Sequence, residues 1–106
     1  MSTDRELLEL AAKAAGIEGK WTEWDHAYGD YREHGIDYGG RALWNPLADD
    51  GDALRLAATL GMWVHIGKWH VSICGHYVEE TCRKDPCAAT RRAIVRAAAE
   101  IGRSKQ

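Results

Sequence analysis

The densest run of metal-ligating side chains in the sequence is Cys74-x-His76-x5-Cys82-x4-Cys87, three thiols and an imidazole, the donor types zinc prefers. Zinc ribbons and fingers take their ligands in closely spaced Cys pairs, and no such pair is present here. Helical spacing also puts Cys87 on an inner helix face, where a free thiol serves as a small hydrophobe. The expectation is therefore no resident metal and no cofactor, with a zinc-binding protein as an alternative. His65 and His70 flank a candidate hairpin turn, and imidazoles paired across strands could share a metal or titrate together. A metalloprotein or small enzyme would be built on His65, His70, Cys74 and His76. With little else converging there, the plainer expectation is two imidazoles stacked beside Trp63 on one sheet face.

Asp49, Asp50 and Asp52 could suggest a cation site, but they lack the alternating ligands and terminal glutamate of a calcium loop. Just before a helix, acids cap backbone donors and complement the positive end of the dipole, which accounts for all three. No Gly-x-Ser-x-Gly elbow, phosphate-binding glycine loop or His-Glu-x-x-His helix occurs. No catalytic residue is assigned, and a non-enzymatic protein is expected.

Two binding surfaces remain. Arg92, Arg96 and Arg103 project from the basic C-terminal segment, where residues 83–106 hold 7 bases and 2 acids, so phosphate contacts would be electrostatically favourable and a nucleic-acid-associated protein is the alternative. Against a nucleic-acid role, the whole chain is acidic, with net charge −2 and pI near 6.2. The other surface is the aromatic, glycine-rich stretch from Trp21 to Trp44. Tyrosine and arginine contribute disproportionately at protein interfaces, so Tyr28, Tyr31, Arg32 and Tyr38 are the candidate partner-binding residues. The tryptophans are the weaker candidates, because a chain with no phenylalanine must fill its core partly with tryptophan.

These side chains need positioning elements. Thr3 and Glu6 form a capping-box signature for a first helix with Leu7, Leu8, Leu10, Ala11, Ala14 and Ala15 inward and Gly16 as C-cap. Weak strands are expected over Trp21 to His26 and Arg41 to Asn45, with turn residues between. A second helix follows Asp49, with Ala53, Leu56, Ala57 and Leu60 inward and Gly61 at its end. Met62 to Ile66 and Trp69 to Glu79 then read as a hairpin turning at Gly67-Lys68, which pairs Ile66 with Trp69, Val64 with Val71, Met62 with Ile73 and His65 with His70. That leaves Trp63, His65, His70, Ser72 and Cys74 on the second face. Asp85-Pro86 opens a third, alanine-rich helix with Cys87, Ile94, Ala98 and Ile101 inward.

At 106 residues, 45% hydrophobic and 28% charged, the chain has the length and composition of one globular domain spanning residues 1–106. No apolar run approaches a membrane span, the first residues are polar, and three cysteines make a poor disulfide framework, so a cytoplasmic protein without membrane partners is expected. One-faced helices need a sheet to cover. The expectation is α+β: a layered sandwich of three helices on a short antiparallel sheet, in the order α-β-β-α-β-β-α.

Three stretches carry a family resemblance. Trp44-Asn45-Pro46-Leu47 through Asp50-Gly51-Asp52-Ala53-Leu54-Arg55-Leu56-Ala57, the segment from Ala89 to Gly102, and the opening Glu6 to Ile17 together resemble the phage ABA sandwich domain. They cover roughly half the chain and both ends. The resemblance implies a small phage or prophage protein with helices flanking an antiparallel sheet, and it supplies no catalytic motif. On that footing the expected role is an accessory protein that binds a host or phage protein in the bacterial cytoplasm.

Overall fold

The structure is a computed structural model; it describes residues 3–25, 32–40, 42–75, 78–81 and 84–105, with Asp25 and Arg32 described by their backbone. Its elements follow in the order α1 (Asp4–Ala15), β1 (Lys20–Asp25), β2 (Arg32–Asp37), α2 (Asp50–Leu60), β3 (Val64–Ile66), β4 (His70–Ile73), β5 (Val78–Thr81) and α3 (Pro86–Ser104). This is the expected α+β succession, with one strand added behind the hairpin. The strands form two antiparallel sheets, β1-β2 and β3-β4-β5, rather than one.

Helix ends fall where side-chain chemistry puts them. Thr3 accepts from the Glu6 N–H at 3.2 Å, Asp49 from Asp52 at 2.8 Å and Asp85 from Ala88 at 3.0 Å, each satisfying an orphan donor of a first turn. Gly16 and Gly61 close α1 and α2 in the left-handed conformation that glycine adopts without strain.

The helix α3 is the axis of the fold. Both α1 and α2 pack on it, and β4 and β5 cover another side. A helix enclosed from several directions needs small side chains, and Ala93, Val95, Ala97, Ala98 and Ala99 are all fully buried. Gly102 marks the closest approach to α1: a Cβ there would stand 2.0 Å from the Leu10 carbonyl oxygen. The expected inner face is corrected at one end. Ile94 and Ala98 are buried, but Cys87 is exposed, because the first turn of α3 lies at the open end of the groove between α2 and α3.

Two strand expectations are also corrected. The partner of β1 is Arg32–Asp37, which pairs Trp21 with Ile36 and Glu23 with His34, while the Arg41 to Asn45 segment contributes one bridge, Trp44 to Ile36. Ile36 decides this: fully buried against α1, it is the apolar anchor that a polar-looking strand needs. Gly35 admits the bridge, since a Cβ there would meet the Trp44 carbonyl at 2.5 Å.

The hairpin slips by two residues. Val64 pairs with Ile73, His65 with Ser72 and Ile66 with Val71, and the Gly67 N–H donates to the His70 carbonyl at 2.9 Å, so Lys68-Trp69 forms the tip. A slip of two leaves every side chain on its face. Val71 and Ile73 are buried toward α3, while Trp63, His65, His70 and Cys74 stay on the exposed face, as the alternation required. The strand expected to run on to Glu79 ends at Cys74-Gly75, where Gly75 has φ 86° and β5 begins after the turn.

A long-range tie holds α3 to the loop before α2. The Arg91 Nε donates to the Leu47 carbonyl at 2.8 Å and its guanidinium to Asp50 at 2.6 Å. The carbonyl is the sheltered partner and the carboxylate the exposed one. Arg91→Ala is therefore expected to cost about 1–3 kcal/mol in urea unfolding, by leaving a half-buried carbonyl unmade. Asp50→Ala should cost less than about 1 kcal/mol, as exposed ion pairs do. Equal losses would shift the weight to the ion pair.

Candidate recognition cleft

A cleft with polar walls opens where β2, the 42–49 loop and α2 meet. Its floor is Asn45, a buried polar residue. The Asn45 Nδ2 donates to the His34 carbonyl at 2.9 Å, its Oδ1 accepts from the Leu47 N–H at 3.0 Å, and its backbone N–H donates to Asp52 at 3.0 Å. Its backbone carbonyl accepts from Ala48 and Asp49. One side chain thus ties β2 to the turn that launches α2, and no buried side-chain polar atom among the described residues lacks a partner.

Above this floor is an open cleft of about 550 Å³ whose walls include Glu33, His34, Tyr38, Asp49, Asp52 and Arg55. Each wall residue is placed by its own element. His34 stands on β2 with its ring 5.6 Å from Trp21. Asp37 accepts from the Gly39 N–H at 3.0 Å, a side-chain-closed turn that directs Tyr38 outward, where it is 51% exposed. Asp52, 15% exposed, accepts from Asn45 and from Arg55 at 2.8 Å, and Asp49 lies 3.8 Å from the same guanidinium. The Asp52 hydrogen bond raises the Arg55 pKa above its ordinary value, so the guanidinium stays charged.

The three acids therefore have three roles. Asp49 caps α2, as expected. Asp52 instead secures Asn45 and Arg55, and Asp50 holds Arg91. Local spacing could not separate them, because two of these partners come from other elements.

Of the candidate partner-binding residues, Tyr38 lies on the rim of this cleft. Arg32 opens β2, its backbone paired with Asp25, and Tyr28 and Tyr31 lie outside the described residues. Sequence reasoning did not single out Asn45, His34 or Arg55. A signal for Asn45 exists: it is a polar residue within Leu43-Trp44-Asn45-Pro46-Leu47, and a buried amide there must find partners.

The arginines proposed for nucleic acid stand beside carboxylates. Arg92 bonds Asp4 at 3.2 Å, Arg96 bonds Glu80 and the Glu79 carbonyl, and Arg103 lies 3.9 Å from Glu100. On the exposed face of the second sheet, the His65 and His70 rings are 6.2 Å apart and tilted, diagonal rather than opposite, and His70 lies 3.8 Å from Glu79. Cys74 and Cys87 are free thiols on different elements, and His76 and Cys82 lie outside the described residues. Among the described residues no group of three His, Cys, Asp or Glu side chains is arranged to hold a metal ion. No described helix is long and apolar enough to cross a membrane.

Compared with protein-family models, curated proteins and solved structures, the chain matches none of them.

Proposed function

We propose that this chain is a phage or prophage accessory protein, non-enzymatic, that binds a host or phage protein in the bacterial cytoplasm through the Tyr38 cleft. The observation that carries this reading is a half-exposed tyrosine on the rim of a polar cleft whose floor is fixed by the fully bonded Asn45. Rigid support matters, because a tyrosine that is already directed loses little entropy on binding and offers a ring and a hydroxyl together. The two stretches Trp44 to Leu47 and Asp50 to Ala57, part of the phage-domain resemblance, build that floor and the adjacent helix. Carboxylates outnumber the guanidinium around the cleft, which favours a segment carrying lysine or arginine.

Tyr38→Ala is expected to weaken partner binding by about 2 kcal/mol, roughly thirtyfold, as hot-spot tyrosines do. The experiment is capture by tagged wild type and tagged variant from infected cells, followed by titration of the retained protein. A partner bound equally by both proteins would exclude the cleft, and retention of nucleic acid alone would move the function to the arginines.

A further inference from the structure

Apart from Tyr38 on the cleft rim, the large apolar side chains exposed among the described residues lie elsewhere. They gather around β3: Trp63 is 78% exposed, Trp69 68%, Ile66 60% and, across a groove of about 350 Å³ between α2 and α3, Leu54 70%. The strand order β3-β4-β5 makes β3 an edge. The Cys74 N–H donates to the Trp63 carbonyl and the Gly67 N–H to the His70 carbonyl, so Trp63, His65 and Gly67 form the hydrogen-bonded pairs with β4. By alternation, the backbone N–H and C=O groups of Val64 and Ile66 point away from the sheet.

Edge strands are ordinarily blunted by charge, proline or cover. β1 carries Lys20 and Glu23, and β5 carries Glu79 and Glu80 with Arg96 bonded to it. Val64-His65-Ile66 carries no carboxylate, ammonium or proline, and among the described residues only its three-residue length limits it as an edge.

We infer that β3 pairs with β3 of a second copy of this chain, antiparallel about a two-fold axis through His65, to make one continuous six-stranded sheet. The edge is complementary to itself. With the axis at His65, Val64 faces the partner's Ile66, and each of these two pairs exchanges two N–H···O=C bonds, four in all, using the groups that β4 leaves unpaired. No carboxylate or ammonium of the three residues meets its own copy. Trp63 falls across from the partner's Gly67, an arrangement in which an aromatic covers a bare stretch of backbone. The area is of the right order as well. Tryptophans cover roughly 150–250 Å² each, so Trp63 and Trp69, 78% and 68% exposed, offer with Ile66 and Leu54 several hundred Å² per partner against the about 800 Å² of a standard interface, as fits a concentration-dependent dimer. The Tyr38 cleft lies on other elements, so this pairing stands or falls independently of the function proposed for it.

Sedimentation and cross-linking test it on the full chain. Wild type should sediment at twice its 11.8 kDa mass at high concentration. Ile66→Pro removes an outward-facing edge N–H at an exposed site, so it should sediment as a folded monomer with its thermal transition kept. Opposed His65 residues form a non-hydrogen-bonded pair with Cα atoms about 4.5 Å apart, within disulfide range. In a background with Cys74, Cys82 and Cys87 replaced by serine, His65→Cys should oxidise to a homodimer at least about tenfold faster than Thr81→Cys. Adding Ile66→Pro should abolish that difference. A chain that stays monomeric at every concentration, a dimeric Ile66→Pro variant, or cross-linking no faster at position 65 than at 81 would overturn the inference. So would a monomer whose β3 edge pairs with a strand of a different protein.

Discussion

Gly102→Ala is expected to destabilise the protein by about 3 kcal/mol, and the sign is more informative than the size. In the interior of an exposed helix the same change would stabilise by up to about 1 kcal/mol, because alanine is the better helix former. At Gly102 the added methyl would stand 2.0 Å from the Leu10 carbonyl oxygen, backbone against backbone, with no flexible side chain to yield. Relief requires α1 and α3 to separate, and that opens the seam in which Leu8, Ala11, Ala97 and Ala98 are buried. At roughly 4 °C per kcal/mol for a domain of this size, the melting temperature should fall by about 12 °C. An unchanged or raised melting temperature would mean that the helices are not packed this closely.

The second large effect is expected at Asn45. Asn45→Leu fills a similar volume but strands the His34 carbonyl and the Leu47 N–H, at a cost of about 2–4 kcal/mol. Asn45→Asp is the sharper probe. It keeps an acceptor for Leu47 but replaces the amide donor by a carboxylate facing the His34 carbonyl, in a site already close to Asp52. At neutral pH it should be at least as damaging as leucine. Protonation supplies the missing donor, so the gap to wild type should narrow as the pH falls through the carboxylate range. Urea unfolding of the three proteins at two pH values measures both effects. Equal stability of Asn45→Asp and wild type at neutral pH would remove Asn45 from the framework.

Much of the fold was legible because its signals are local. Thr3, Asp49 and Asp85 were readable as caps from the few residues that follow them, and the faces of β3 and β4 from simple alternation. What local reading could not reach was set by distant partners. Arg32–Asp37 looks like a loop until Ile36 is seen packed on α1 and closed by Trp44. The hairpin register depended on whether Gly67 or Lys68 began the tip, a choice that the pattern of faces does not constrain, since a slip of two preserves it. Cys87 reads as inward only if α3 has a single buried face, and α3 is enclosed from several sides with its first turn at an open end. At the cleft, Tyr38 was readable as an aromatic among turn residues. The roles of Asn45, Asp52 and Arg55 were not, because each depends on a partner in another element.

The direct measurement of the proposed function is site-specific photo-cross-linking from position 38. With a photoreactive phenylalanine in place of Tyr38, irradiation of infected cells is expected to give one discrete protein adduct. The same group at exposed Glu23, on the other strand of that sheet, should give none. Adducts to nucleic acid alone, or the same protein adducts from both positions, would contradict recognition through the cleft.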